Sequence, residues 1–127
     1  MRRMLAIVLC VLLASLSVCA LSKYKIERFC ERARHLRTQA IECMEANDVQ
    51  QAEVTLVNLA TYLDENLNWL EMLCDHEDLH DVKREIIDAQ ASIEFGIEDD
   101  FYQAIYRFGE GIEHIADVES LRLANLY

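Results

Sequence analysis

The sequence predicts an all-α protein: an N-terminal transmembrane or signal-anchor helix, then an antiparallel bundle of about four helices built as two αα-hairpins. Three observations carry this. The 127 residues include no proline and only 3 glycines, so the residues that sheets and their turns recruit are nearly absent. Apolar side chains recur at three- and four-residue steps through most of the chain. Residues 4–21 form an uncharged apolar run close to the length a bilayer core requires. The length allows one domain beyond that run. The chain therefore divides into an anchor or signal segment, residues 1–21, and a helical domain, residues 22–127.

The N-terminal segment reads "MLAIVLCVLLASLSVCAL" and follows Arg2 and Arg3. An uncleaved anchor through residues 4–21 fits best. A cleaved signal peptide with Val18 and Ala20 before the cut is a second reading. A lipoprotein site at Cys19 is the weakest, because Val18 stands where a small residue is wanted. The predicted location is the cell membrane, as a single-pass protein. Arg2 and Arg3 argue for an inside N-terminus, and so for a helical domain outside the cytoplasm. The basic residues beyond the segment argue the other way.

Helix one continues out of this segment to about residue 46, with Ile26, Phe29, Ala33, Leu36, Ala40, Cys43 and Met44 as its stripe. Asn47 and Asp48 break it, and Asp48 can cap helix two with Gln51 as its capping-box partner. Helix two spans about residues 49–73. Ala52, Leu56, Leu59, Leu63, Leu67 and Leu70 give it a heptad-like stripe that would also serve as a seam between copies in a homo-oligomer. Helix three runs to about residue 96, with Leu79, Val82, Ile86, Ala89 and Ile93 inward. Asp99 and Asp100 then punctuate the chain. Helix four follows, with Phe101, Ala104, Ile105, Phe108, Ile112 and Ile115 inward, and Leu121, Leu123 and Leu126 are expected to dock. Asp48-Val-Gln-Gln-Ala52 and Asp100-Phe-Tyr-Gln-Ala104 echo one another, each opening the second helix of a hairpin. The opening is similar to that of tetratricopeptide-type repeats, but the period here is too long.

The net charge of −11 is unevenly placed. Residues 22–37 carry six basic side chains (Lys23, Lys25, Arg28, Arg32, Arg34, Arg37) against two acidic ones, either a collar at the level of lipid headgroups or a helix face solvated by Arg/Glu pairs. Residues 38–127 carry four basic against twenty-one acidic. So acidic a body repels phosphate backbones, and no nucleic-acid partner is expected. Three cysteines lie outside the apolar segment, Cys30, Cys43 and Cys74. That odd number does not suit a disulfide framework.

The one stretch with a chemical look is "CDHEDLHD", residues 74–81, which contains H-E-x-x-H. On a helix that spacing sets two imidazoles one turn apart, with a glutamate to activate water on zinc. His76, Glu77 and His80 are thus the candidate metal ligands of a metal-binding module or hydrolase. The surroundings argue against it. Asp75, Asp78 and Asp81 crowd the motif, and Lys83 and Ile86 stand where an extended zinc motif needs glycine and histidine. Asp75, Glu77 and Asp78 suit an ordinary helix start, where negative charge meets free N–H groups. Neither an enzyme nor a cofactor is expected.

Trp69, Asp75, His76 and Leu79, with a closing His114, Ile115, Glu119, Leu121, Leu123, Asn125 and Leu126, resemble a bacterial family known as domain of unknown function 4363. His80 and the number of cysteines depart from its pattern. The resemblance implies a small single-pass membrane protein without assigned activity. A multi-pass membrane protein is the partner it implies. Trp69, His76, His114 and Asn125 are the candidate structural or interaction residues. His76 and His114 are placed so that they could meet between the hairpins as buried, hydrogen-bonded groups.

Overall fold

The computed structural model describes the backbone of residues 1–126 and the side chains of residues 1–118 and 121. It contains four helices: α1 (Arg2–Glu45), α2 (Val49–Leu73), α3 (His76–Phe95) and α4 (Glu98–Leu126). Each helix packs on two neighbours in the cyclic order α1–α2–α3–α4, and among the described residues the backbones of the diagonal pairs do not come into contact. Short connections make successive helices antiparallel, so the predicted hairpins α1–α2 and α3–α4 form a closed square bundle.

The turns show why the helices stop where they do. Asn47 takes a left-handed φ of 60°, and the Asp48 N–H donates back to the Cys43 carbonyl at 2.9 Å. Gly96, at φ 71°, does the same for α3, with the Ile97 N–H donating to Ser92 at 2.9 Å. Both turns satisfy carbonyls that the helix end leaves open. Asp48 caps α2 by accepting from the Gln51 N–H at 3.2 Å, and Asp75 caps α3 by accepting from the Glu77 N–H at 3.1 Å. Helix four starts earlier than the acidic pair suggested. Glu98, Asp99 and Asp100 form its first turn, where three carboxylates complement the exposed N–H groups.

The core has two parts. The part nearer the apolar segment is built from large side chains, among them Phe29, Leu63, Leu70, Ile86, Phe108 and Ile112. The far part includes one fully buried alanine from each helix, Ala40, Ala52, Ala89 and Ala104. Ala52 and Ala104 are the small residues of the sequence echo, and the echo marks where the helices approach closely. Leu56, Leu59, Leu63 and Leu70 all point into this core. The leucine stripe is therefore packed within the chain. Leu121, expected to dock, is 64 % exposed. It lies six residues beyond Ile115, the last residue of α4 found buried among the described residues, and at 100° per residue it points about 120° away from the core stripe. The expected docking of Leu123 and Leu126 lies outside the described side chains.

Two glycines inside α4 fix how closely its neighbours approach. A Cβ on Gly111 would lie 2.8 Å from the Val82 Cγ2 of α3, and one on Gly109 would lie 2.6 Å from the Arg37 Nε of α1. Glycine costs a helix interior about 1 kcal/mol relative to alanine, and here each leaves room for the close approach. The apolar part of α1 contributes nothing to the core, whose first buried residue is Ile26. Residues 4–21 are long and apolar enough to cross a membrane, and none of them is buried.

Candidate functional site

Antiparallel packing brings most features singled out in the sequence to one end of the bundle, the end from which the apolar segment emerges. The basic collar of α1, Trp69 near the end of α2, the H-E-x-x-H start of α3 and His114 in α4 all lie there. Asn125 is in the last turn of α4, and its side chain is outside the described residues.

Trp69 is held from several sides. Its ring meets Phe29 edge-on at 6.2 Å, and Phe29 stacks on Tyr62 at 5.4 Å. Its indole N–H donates to the Asn66 Oδ1 at 2.8 Å, while the Asn66 amide donates to the Tyr62 carbonyl at 2.7 Å. The Lys25 ammonium lies 5.7 Å above the indole ring, a cation–π distance. Burial pushes the Tyr62 phenol above its ordinary pKa.

The H-E-x-x-H residues are spread along the outside of α3. His76, Glu77 and His80 are all exposed. His76 has 81 % of its side chain exposed and faces Glu71 at 3.9 Å; His114, 60 % exposed, faces the half-buried Asp78 at 3.5 Å. Each histidine thus takes a carboxylate of its own, and neither is buried. Among the described residues no group of three His, Cys, Asp or Glu side chains is arranged to hold a metal ion. Asp75, Glu77 and Asp78 act as the capped and negatively charged start of α3.

The seam between α1 and α4 was not legible as a site. Arg34 grips Glu113 with two prongs, the second at 3.1 Å, and this hydrogen bond raises the Arg34 pKa further. Arg37 crosses Gly109 to donate its Nε–H to the Ile105 carbonyl at 3.0 Å. Two glycines in one helix interior, with arginines on the neighbouring helix, were the only sequence signal. An open groove of about 600 Å³ follows this seam, lined by Arg34, Arg37, Tyr106, Glu113, His114 and Asp117 among others. Both of its arginines are engaged and its remaining charges are mostly acidic, so it offers little to an anion. Nearby, Cys30 directs its thiol at the Ile112 carbonyl at 3.9 Å, and burial pushes its pKa up to about 12. The thiolate, the reactive form, is thereby suppressed. The Thr55 and Ser92 hydroxyls donate to backbone carbonyls one turn back. These contacts serve packing.

Comparison with curated proteins and with solved structures finds no match. A family model described as "Domain of unknown function (DUF4363)" matches residues 20–126. That span takes in the whole bundle and leaves out most of the apolar segment, and the chain belongs to the DUF4363 family.

Proposed function

We propose that this protein is a membrane-tethered helical domain that serves as an accessory subunit, binding a multi-pass membrane protein. The observation that carries the reading is α1 itself. One 44-residue helix runs from the unpacked apolar segment into the bundle without a linker. Eighteen residues at 1.5 Å each span about 27 Å, close to a bilayer core of about 30 Å. The body offers caps, ion pairs and packed aromatics, which suit recognition. Arg2 and Arg3 favour an inside N-terminus and hence a domain outside the cytoplasm.

Removing residues 1–21 should release the domain from membranes with its helical content intact. A full-length, uncleaved protein that stays soluble would defeat the reading. The partner is tested by affinity purification of the tagged full-length protein from mildly solubilised membranes, with mass spectrometry and a metal assay on one eluate. A stoichiometric multi-pass protein without metal supports an accessory subunit. No partner but one zinc per chain would overturn it in favour of a metal site at His76 and His80.

A further inference from the structure

The six cations of the collar divide into two sets. Arg34 and Arg37 are committed to α4. The other four occupy the first turns beyond the apolar segment and are exposed. Lys23 makes only a 4.0 Å contact with Glu27 of its own helix. Lys25 lies over Trp69, and Arg28 donates to the Tyr24 hydroxyl at 3.1 Å. Among the described residues, Lys25, Arg28 and Arg32 have no carboxylate within ion-pair distance. In a chain with 23 acidic and 12 basic side chains, internal partners were plentiful. The three-residue and four-residue steps between these cations put them on one flank of α1, the flank that faces the Trp69 ring.

We propose that Lys25, Arg28 and Arg32, with Tyr24 and Trp69, gather anionic phospholipid headgroups around the anchor. The inference rests on the membrane-anchor reading and adds its lipid class. Because α1 is continuous, height follows from residue count. Lys25 stands about 6 Å, Arg28 about 10 Å and Arg32 about 16 Å beyond Leu21. The headgroup layer on each side is about 5–7 Å thick, and the Debye length at physiological salt is about 8 Å. The Lys25 backbone is therefore within the headgroups, that of Arg28 is about 3–5 Å beyond them and inside a Debye length, and Arg32, about 9–11 Å beyond, comes into range only by extending its long side chain toward the layer. Long basic side chains and amphipathic rings suit that layer.

Trp69 is the single tryptophan and serves as the reporter. The full-length protein is reconstituted into vesicles of phosphatidylcholine and phosphatidylglycerol. In paired samples one lipid or the other carries the same acyl-chain acceptor fluorophore at the same mole fraction. Energy transfer from Trp69 should be about twofold or more stronger to the labelled phosphatidylglycerol. The ratio should fall to one in 0.5 M salt and in K25Q/R28Q/R32Q, whose helical content is checked by circular dichroism. Taking a ratio cancels any change in Trp69 emission when Lys25 is replaced. Equal transfer to both lipids in the wild type, with the protein floating on the vesicles, overturns lipid selection and leaves the anchor standing. A preference that survives both salt and the triple substitution also overturns it. No transfer and no flotation removes the anchor and this inference together.

Discussion

Replacing Gly111 with alanine sets two known effects against each other, and the structure says which wins. Alanine gains about 1 kcal/mol of helix propensity over glycine. Its Cβ, however, would sit 2.8 Å from the Val82 Cγ2, where carbon atoms prefer about 3.5–4.0 Å. Val82 is fully buried, and a valine in a helix has essentially one χ1 rotamer, so the methyl cannot swing aside. The α3–α4 spacing must open by about 0.7 Å, which belongs in the upper part of the ~1–3 kcal/mol range for overpacking. The net expectation for Gly111→Ala is a loss of about 1–2 kcal/mol. Val82→Ala alone should cost about 1.5–3 kcal/mol by the lost methyls and the cavity. In the double variant the new methyl fills that cavity, so it should be more stable than the sum of the singles by about 2 kcal/mol. Urea unfolding of residues 22–127, followed by far-ultraviolet circular dichroism, measures all four corners. A Gly111→Ala protein more stable than wild type, or strictly additive variants, would refute the close-approach reasoning.

The same logic gives a different sign at Gly109, where the obstacle is the flexible end of Arg37. Gly109→Ala should stabilise an Arg37→Ala background by about 1 kcal/mol, but do so less in the wild type, where it displaces the bond to Ile105; unfolding curves separate the two. At the start of α3, Asp75→Ala should cost about 1 kcal/mol as a lost cap, while His80→Ala stays within about 0.5 kcal/mol. A larger cost for His80 in metal-containing buffer would speak for ligation. For Cys30 the folded pKa is raised from 9.0 to about 12. Its contribution is therefore complete below pH 9 and is lost as pH rises toward 12, because the unfolded thiol deprotonates first. Stability measured at pH 8 and pH 10 should fall by on the order of 1 kcal/mol more in wild type than in Cys30→Ala.

The helices were legible because nothing else competed for them. Without proline, few breaks competed: Asn47-Asp48 and the start of the H-E-x-x-H stretch both mark helix ends, whereas Asp99-Asp100, read as the third break, lies inside the first turn of α4 and the turn falls at Gly96 instead. The stripes were legible because burial follows a 100° period. Position within the stripe was not: Cys43, Leu67 and Ile93 came out half-buried, while Cys30, Thr55 and Ser92 came out buried. Those differences depend on which neighbour a flank meets, and one helix's periodicity does not contain that information. Thr55 and Ser92 tolerate the interior because their hydroxyls find carbonyls in their own helix, at 2.9 Å and 2.7 Å. The fate of the collar was hidden for the same reason. Six cations in sequence look alike until α4 claims two of them.

The continuous helix also decides where a partner can touch. From Leu21 to Glu45 it rises about 36 Å at 1.5 Å per residue, so with the proposed anchor in a membrane the two ends of the bundle would face different surroundings. The far end displays Val49, Phe95 and Ile97, all exposed, beside a small apolar groove lined by Met44, Ile93 and Phe101. The near end carries Trp69, the α2–α3 turn and the cations that the proposed anchor would set within reach of the headgroups. On that reading, a multi-pass membrane protein with short loops would reach only the near end and the anchor. A partner met through the far end must itself extend some 30 Å or more from the bilayer. Substitutions at Phe95 and Ile97 that leave capture of a short-looped partner intact, while Trp69 substitutions abolish it, would place the accessory contact beside the membrane. The opposite pattern would assign it to the far tip and require a partner with a large domain outside the bilayer.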